Sequence, residues 1–389
     1  MIKIAFTLPD FKNWIGGYNY ILNLISLLSN DYSKKIEPVL FLGNDILEKD
    51  ISPFLNIENL KIVSDNHFNL NKKYLRLFTT LVRGMDTKAL KLFRNYDISL
   101  VFESAQFYGT KFPIPIIAWL PDFQHRHMPE KFSMFSFWKR EFGFRKQTTS
   151  GRSILVSSED SKKDCEKFYP SSRGSVYAIP FAVINVQNNF SVNSIEKIKL
   201  KYSLPYSYFF LPNQFWIHKN HLCIIEALNI VKKRGINIKI IATGSEYDPR
   251  DFNYFSGLQK KINDFKIQNY FTSLGIVPFS DLQILLHKCT ALINPSYFEG
   301  WSTTVEEAKA TNTPMILSSI AVHKEQAGKN AFYFNPESPI ELADLLTEFS
   351  QSTRENLSEQ LNFNQLNYHN NINYFVTSFT NLVIQTISK

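Results

Sequence analysis

Residues 291–328, ALINPSYFEGWSTTVEEAKATNTPMILSSIAVHKEQAG, read as strand, loop, helix, strand and loop in immediate succession. The run 291–294 is short and apolar, 295–301 carries turn residues, 303–310 has helical composition and 314–317 is apolar again. Such a βαβ-type segment puts its chemistry at the strand tips, and two carboxylates stand there. Glu299 precedes the helix and Glu307 lies inside it, with seven residues between them. Gly300, Ser302, Thr303 and Thr304 are small or hydroxylated and start the helix, whose first N–H groups favour a phosphate. An acidic group beside an anion site suits a ligand that has both phosphates and hydroxyls, as a nucleotide sugar does.

The Glu299 to Glu307 spacing, EGWSTTVEE, sits in a P-S-x-x-E-G setting formed by Pro295, Ser296, Glu299 and Gly300. In this it resembles the retaining glycosyltransferases of the GT-B fold, family four, of bacterial surface-polysaccharide type. A charged helix face preceded by a turn is the plainer reading of the same residues. The resemblance implies an α/β chain of two doubly wound Rossmann-like domains facing across a cleft. It also implies a metal-independent transfer from a nucleoside-diphosphate sugar, with no further cofactor.

The length of 389 residues suits two domains of near-equal size. Three cysteines, Cys165, Cys223 and Cys289, are far apart and not in metal-ligand spacing, which points to buried thiols in a reducing compartment. The first residues, MIKIAFTLPD, suit a first strand better than a signal peptide, and no apolar run approaches the length of a membrane span. A cytoplasmic protein is expected, with contact at the inner face of the membrane left open. Of the formal charge of +8, residues 1–190 hold 25 Lys+Arg against 18 Asp+Glu, or +7, and residues 191–389 hold 18 against 17, or +1. A basic first half faces nucleic acid, anionic lipid or an anionic acceptor. No helix-turn-helix, zinc ligand set or RNA-binding signature accompanies it, so no nucleic-acid partner is expected.

The first half alternates strand-like (2–8, 39–42, 98–102, 114–120, 154–156) and helix-like pieces, which predicts a parallel sheet covered by helices. Gly16 and Gly17 lie between the first strand and helix, where glycines let backbone approach a ligand, although such a pair is more often an ordinary turn. Residues 71–94 read as one basic amphipathic helix, suited to a membrane surface or equally to a core-facing helix with a solvated basic side. Residues 131–152 mix six basic residues with aromatics, which suits a headgroup region, a lipid-diphosphate-linked sugar acceptor or simple core packing. Between them, the loop WLPDFQHRHMPEKF offers Asp122, Gln124, His125 and His127 at a strand tip. Bacterial members of the resembled family carry a P-D-F-Q-H loop here, which implies His125, then Asp122, as catalytic residues. Plain loop hydrogen bonding is the alternative.

A polar linker is expected over 183–193, and a second alternating series starts at 208. The loop PNQFWIHKNH leads into a helix and holds Lys219, whose counterpart in the family binds the diphosphate. Where the family often has an arginine five residues earlier, this chain has Gln214, preceded by Asn213. The resemblance places backbone near Val277, in the expected strand 274–277, against the nucleotide base. No Asp-x-Asp pair occurs, which argues against a metal clamp on the diphosphate.

The expected organisation is therefore an acceptor domain over 1–185, a donor domain over 200–365, and a last helix in 366–389 that the resemblance sends back to the first domain. Catalytic roles fall on Glu299, His125 and Asp122. Donor binding falls on Glu307, Lys219, Asn213, Gly16, Gly17, Ser302, Thr303, Thr304 and Val277. The partners would be a nucleotide-sugar donor, a glycan or lipid-linked acceptor, and an anionic membrane surface. A sugar-nucleotide epimerase and a non-catalytic nucleotide-sugar binder share this architecture as alternatives; sugar, base and linkage are not written in the sequence.

Overall fold

In each half of the chain the first strand ends up in the middle of a parallel sheet, with the chain order reversing beside it. The computed structural model describes residues 1–8, 15–30, 35–104, 106–184, 190–360 and 366–389. These fall into two units, one of residues 1–184 and 369–389, the other of residues 185–368. Residues 185–189 of the expected linker, and 11–14 ahead of the glycine pair, lie outside the described residues.

The first unit contains β1 (Ile2–Thr7), β2 (Ile36–Leu42), β3 (Lys61–Ser64), β4 (Leu100–Ser104), β5 (Ile116–Trp119), β6 (Ser153–Val156) and β7 (Val176–Ala178) in the order β3-β2-β1-β4-β5-β6-β7, every pair parallel. The second contains β8 (Phe209–Leu211), β9 (Ile240–Ala242), β10 (Phe271–Ser273), β11 (Leu292–Asn294), β12 (Met315–Ser318) and β13 (Phe332–Phe334) in the order β10-β9-β8-β11-β12-β13, again all parallel. The switch points fall between β1 and β4 and between β8 and β11. At such a point the loops leaving two adjacent strands diverge and open a crevice at the carboxyl ends.

Alternate side chains of one strand enter opposite layers, as the period of two requires. Phe209, Leu211, Ile240, Ile293 and Ile316 join one core of the second unit, while Phe210, Ile241, Leu292, Met315 and Leu317 join the other. With helices on both faces, strands such as FFL and MILS are buried throughout. Cys165, Cys223 and Cys289 are buried free thiols.

From residue 369 on, the helix Leu366–Ile387 packs within the first unit. Phe375, Phe379, Leu382 and Val383 are buried, the Phe379 ring lies 5.9 Å from that of Phe102, and the Thr386 hydroxyl donates to Ser153 Oγ at 2.8 Å. No helix among the described residues is long and apolar enough to cross a membrane.

Two local expectations need correction. The single helix expected over 71–94 is two, Lys73–Arg83 and Thr87–Asn95. Gly84 ends the first in the left-handed region at φ 76°, and the Asp86 carboxylate caps the second by accepting from Ala89 N–H at 3.0 Å. The strand expected over 274–277 lies earlier, as β10; Leu274 still bonds Ala242 O at 2.9 Å, after which the chain turns toward Pro278.

Candidate active site in the second unit

The loops that follow β8 and β11 at the switch point are tied together by a buried amide. Asn294 Oδ1 accepts from Asn213 Nδ2 at 3.1 Å and from Ser296 Oγ at 2.7 Å, and Asn294 Nδ2 donates to Ser302 Oγ at 3.0 Å. One side chain so fixes the loop carrying Lys219, the loop carrying Glu299 and the start of the Thr303–Ala310 helix. Nothing in the sequence singled Asn294 out; a polar residue ending an apolar strand was the available signal.

Glu299 and Lys219 meet. The ammonium lies 2.5 Å from Glu299 Oε1, which also accepts from Ser296 Oγ at 2.7 Å, and both charged side chains are largely buried. Lys219 ends a 3-10 turn, Ile217–Lys219, and Asn220 turns the backbone with φ 56° into the helix His221–Lys233. Asn220 caps that helix through Cys223 N–H at 3.4 Å and holds the neighbouring loops by donating to Pro295 O at 3.1 Å and Pro336 O at 2.9 Å. Tyr297 N–H adds a bond to His218 O at 2.9 Å.

The adjacent glutamates of the helix differ sharply. Glu306 is engaged by Gln326 Nε2 at 2.9 Å and Lys309 Nζ at 3.0 Å. Glu307 is buried, its carboxylate has no hydrogen-bond partner among the described residues, and burial pushes its pKa up to about 8. Gln326 also grips the helix start, accepting from Ser302 N–H at 3.2 Å and donating to Ser302 O at 2.7 Å. The expectation of free N–H groups from Ser302 onward is corrected at Ser302 itself; Thr303 and Thr304 begin the helix proper.

His323, which the sequence reading missed, lies close enough for the charges of Glu299 and Lys219 to act on it. Its Nδ1 is 3.0 Å from both Ser318 O and Ser318 Oγ, its Nε2 is buried with no partner among the described residues, and burial lowers its pKa to about 4. A neutral ring with one open position results. Gly244 brings the loop after β9 against Asn213, and its N–H bonds Gly275 O at 2.9 Å, drawing in the segment with Val277. Val277 packs on the core while Ile276 beside it is exposed.

In the first unit, Asp122 accepts from Arg140 Nη2 at 2.6 Å and Gln124 N–H at 2.9 Å. Burial alone would raise its pKa, but these partners hold it below the ordinary Asp range. His125, expected to face the reaction, is wholly buried. Its Nε2 lies 3.3 Å from Tyr169 Oη and 3.4 Å from Glu141 Oε2, with Phe137 and Phe144 against the ring, and burial lowers its pKa to about 4. The aromatic residues of 132–144 explain this: they need a flat partner, and the imidazole supplies it. Gly16 and Gly17, expected in a loop, stand in the first turn of the helix Ile15–Ser29, where N–H groups still lack intrahelical acceptors. A pocket at the carboxyl ends of β1, β2 and β4 is lined by Thr7, Leu42, Gly43, Lys73, Arg76 and Ser104. No cluster of His, Cys, Asp and Glu suited to a metal occurs among the described residues.

Residues 195–366 match the family model described as glycosyl transferases group 1. Over 166 residues the chain is 31% identical to the O-antigen chain mannosyltransferase RfbU of Salmonella typhimurium, an overlap of 43% of this chain and 44% of that protein, so less than half of the relative's length is spanned. Among solved structures, HepE of Anabaena in complex with UDP and glucose superposes with a TM-score of 0.72 at 15% identity, covering 100% of both chains. WaaG, a glycosyltransferase involved in lipopolysaccharide biosynthesis, gives 0.60 at 12% identity over 100% of this chain and 99% of its own. At these identities the structural likeness establishes the fold, and the sequence match lies in the unit that holds Glu299 and Glu307. The group 1 glycosyl transferase match thus lies in the second unit, and the chain as a whole has the GT-B fold of these glycosyltransferase structures.

Proposed function

We propose that the protein transfers a sugar from a nucleoside-diphosphate sugar to a glycan or lipid-linked acceptor, with retention of configuration, in the synthesis of a surface polysaccharide. The observation that carries this reading is the buried Glu307 carboxyl, which meets no donor among the described residues, on the helix that follows the loop holding Glu299 against Lys219. A ribose diol supplies the two donors that Glu307 lacks. Lys219 is the cation for the diphosphate, and Glu299, now holding that cation, passes to the hydroxyls of the donor sugar when phosphate oxygens take its place.

The bond from the anomeric carbon to the diphosphate oxygen breaks as the acceptor oxygen bonds the same carbon. The acceptor proton leaves with the nucleoside diphosphate, and attack from the leaving-group face retains configuration. Charge grows on the departing oxygens, where a fixed ammonium and the N–H groups of Thr303 and Thr304 stabilise it most. Asn213 positions the loop against the donor, and backbone near Val277 lies against the base. In the first unit, the Lys73 and Arg76 pocket with the first-turn glycines Gly16 and Gly17 suits an anionic acceptor. Asp122 borders the acceptor, and His125 acts as a positioning residue through its buried contacts. RfbU, a mannosyltransferase acting on O-antigen chains, and HepE, solved with UDP, support the donor and acceptor classes by likeness.

The test is thermal unfolding of wild type and Glu307→Ala with UDP, GDP, ADP, dTDP and CMP. A diphosphate present at a hundredfold over its Kd adds about 2.7 kcal/mol to the wild type, and the variant loses the gain. If no nucleotide stabilises the wild type, or the variant responds equally, the site is misassigned. Release of free nucleoside diphosphate only when an acceptor is added separates transfer from epimerisation or mere binding.

A further inference from the structure

The helix Lys73–Arg83 is built inside out. Its polar residues face the protein: Thr80 is buried, Arg76 Nη1 donates to His67 O at 2.7 Å with its guanidinium over the Phe68 ring, and Lys73 and Arg76 line the first unit's pocket. Its apolar residues face outward, with Tyr74 68%, Leu75 64%, Phe78 65% and Val82 71% exposed. A helix on a water-facing surface has the opposite arrangement. The start of the helix Met134–Thr148 adds Met134, Phe135 and Trp138, exposed by 79%, 75% and 59%. The two helices share one surface, since Lys139 Nζ lies 5.4 Å from the centroid of the Tyr74 ring.

The charge along these two stretches is mostly positive. Residues 66–85 contain no acid, and Lys72 and Arg83 are exposed at the ends of the first helix. Residues 131–148 contain Lys131, Lys139, Arg140, Arg145 and Lys146 against Glu141 alone, which is buried and paired with Arg126 and Arg145. Rings and aliphatic chains standing out beside this excess of cations complement an anionic bilayer: the apolar groups enter the acyl boundary and the cations meet lipid phosphates. A second copy of the chain would set cation against cation, so charge argues against a self-interface.

We infer that this face of the first unit docks on an anionic lipid bilayer. It deepens the reading of a lipid-linked acceptor, because Lys73 and Arg76 of the same helix line the first unit's pocket. Docking is nevertheless independent of the donor site, and the two can fail separately.

The experiment is co-flotation of the full chain with vesicles of phosphatidylcholine alone and of phosphatidylcholine with a quarter phosphatidylglycerol. Binding to the anionic vesicles is expected to be at least about tenfold tighter and to weaken with salt. Trp138 should shift to shorter emission wavelength on binding, with Trp138→Phe removing that change. The variant Leu75→Ser/Phe78→Ser/Phe135→Ser, altered only at exposed positions, should keep its Tm and its nucleotide-induced stabilisation while losing vesicle binding. Equal binding by that variant, or no binding by the wild type to either vesicle, overturns the inference. A concentration-dependent dimer that the same substitutions abolish, without vesicle binding, also overturns it and makes the face a contact between copies.

Discussion

Lys219 Nζ and Glu299 Oε1 are 2.5 Å apart in a largely buried pair drawn from two loops that leave adjacent strands of one sheet. Neither charge can be removed alone without leaving the other in a poor environment. Lys219→Ala is therefore expected to lower stability by about 3 kcal/mol in urea unfolding. The double variant Lys219→Ala/Glu299→Gln should recover most of that loss but not the nucleotide affinity, which should stay weaker by about tenfold or more for want of a charge-assisted bond. A double variant that binds diphosphate as tightly as wild type would show that Lys219 has only a structural role.

Glu307 makes both stability and binding depend on pH. Its folded pKa is raised from the ordinary 4.5 to about 8, so the unfolded chain gives up this proton first. The group's contribution is most favourable below pH 4.5 and is lost as pH rises toward 8. Glu307→Gln should accordingly flatten the decline in Tm across that window and leave the free protein more stable at pH 8. Diphosphate binding should show the reverse preference, since ribose hydroxyls donate to the carboxylate. Affinity is expected to rise about tenfold from pH 6 to pH 7 and to level off above pH 8, after subtracting the ligand's own titration measured with Glu307→Gln. Identical pH profiles for the two proteins would remove Glu307 from the ribose site.

The strands, their alternation and the carboxylate pair were legible because each is local: a period of two, a run of turn residues, a helix start. Lys219 was legible for the same reason, standing at the head of a helical pattern. Asn294, Asn220 and Gln326 were not, since their meaning lies in partners up to 116 residues away in sequence. His125 sat in a loop of polar residues and looked accessible; only packing with Tyr169, Glu141 and the Phe137 and Phe144 rings shows it buried. For the basic stretch 71–94, periodicity revealed an apolar stripe but could not say which way it faces. That depends on His67 O and Phe68, which hold Arg76 inward.

Gln326 should matter more than its distance from the two glutamates in sequence suggests. It satisfies both the N–H and the carbonyl of Ser302 and also donates to Glu306. Gln326→Ala leaves the buried Ser302 N–H without its acceptor, while Glu306 keeps Lys309 and Ser302 O keeps Glu306 N–H, and should destabilise by about 1–3 kcal/mol. Gln326→Glu keeps an acceptor for Ser302 N–H but loses the donor and faces Glu306 with like charge. Its loss of stability should grow as pH rises above the carboxyl range, whereas that of Gln326→Ala should not. Indifference of both variants in thermal unfolding would mean that the helix start is held by Asn294 alone.

Gly244 tests whether loop geometry, separate from any side chain, sets the donor site. Its φ is 137°, and a Cβ there would stand 2.5 Å from Asn213 O and 2.9 Å from Gln214 Cα, both backbone atoms that cannot swing aside. Gly244→Ala must therefore displace the loop whose Asn213 side chain reaches Asn294 at 3.1 Å. A cost of about 2 kcal/mol or more is expected from the strained backbone and the broken contact. Nucleotide affinity, measured by calorimetry well below the variant's Tm, should fall as well, although residue 244 adds no group that binds the ligand. Unchanged affinity beside reduced stability would separate this loop from the donor site; unchanged stability would mean that the loops after β8 and β9 give way to each other without cost.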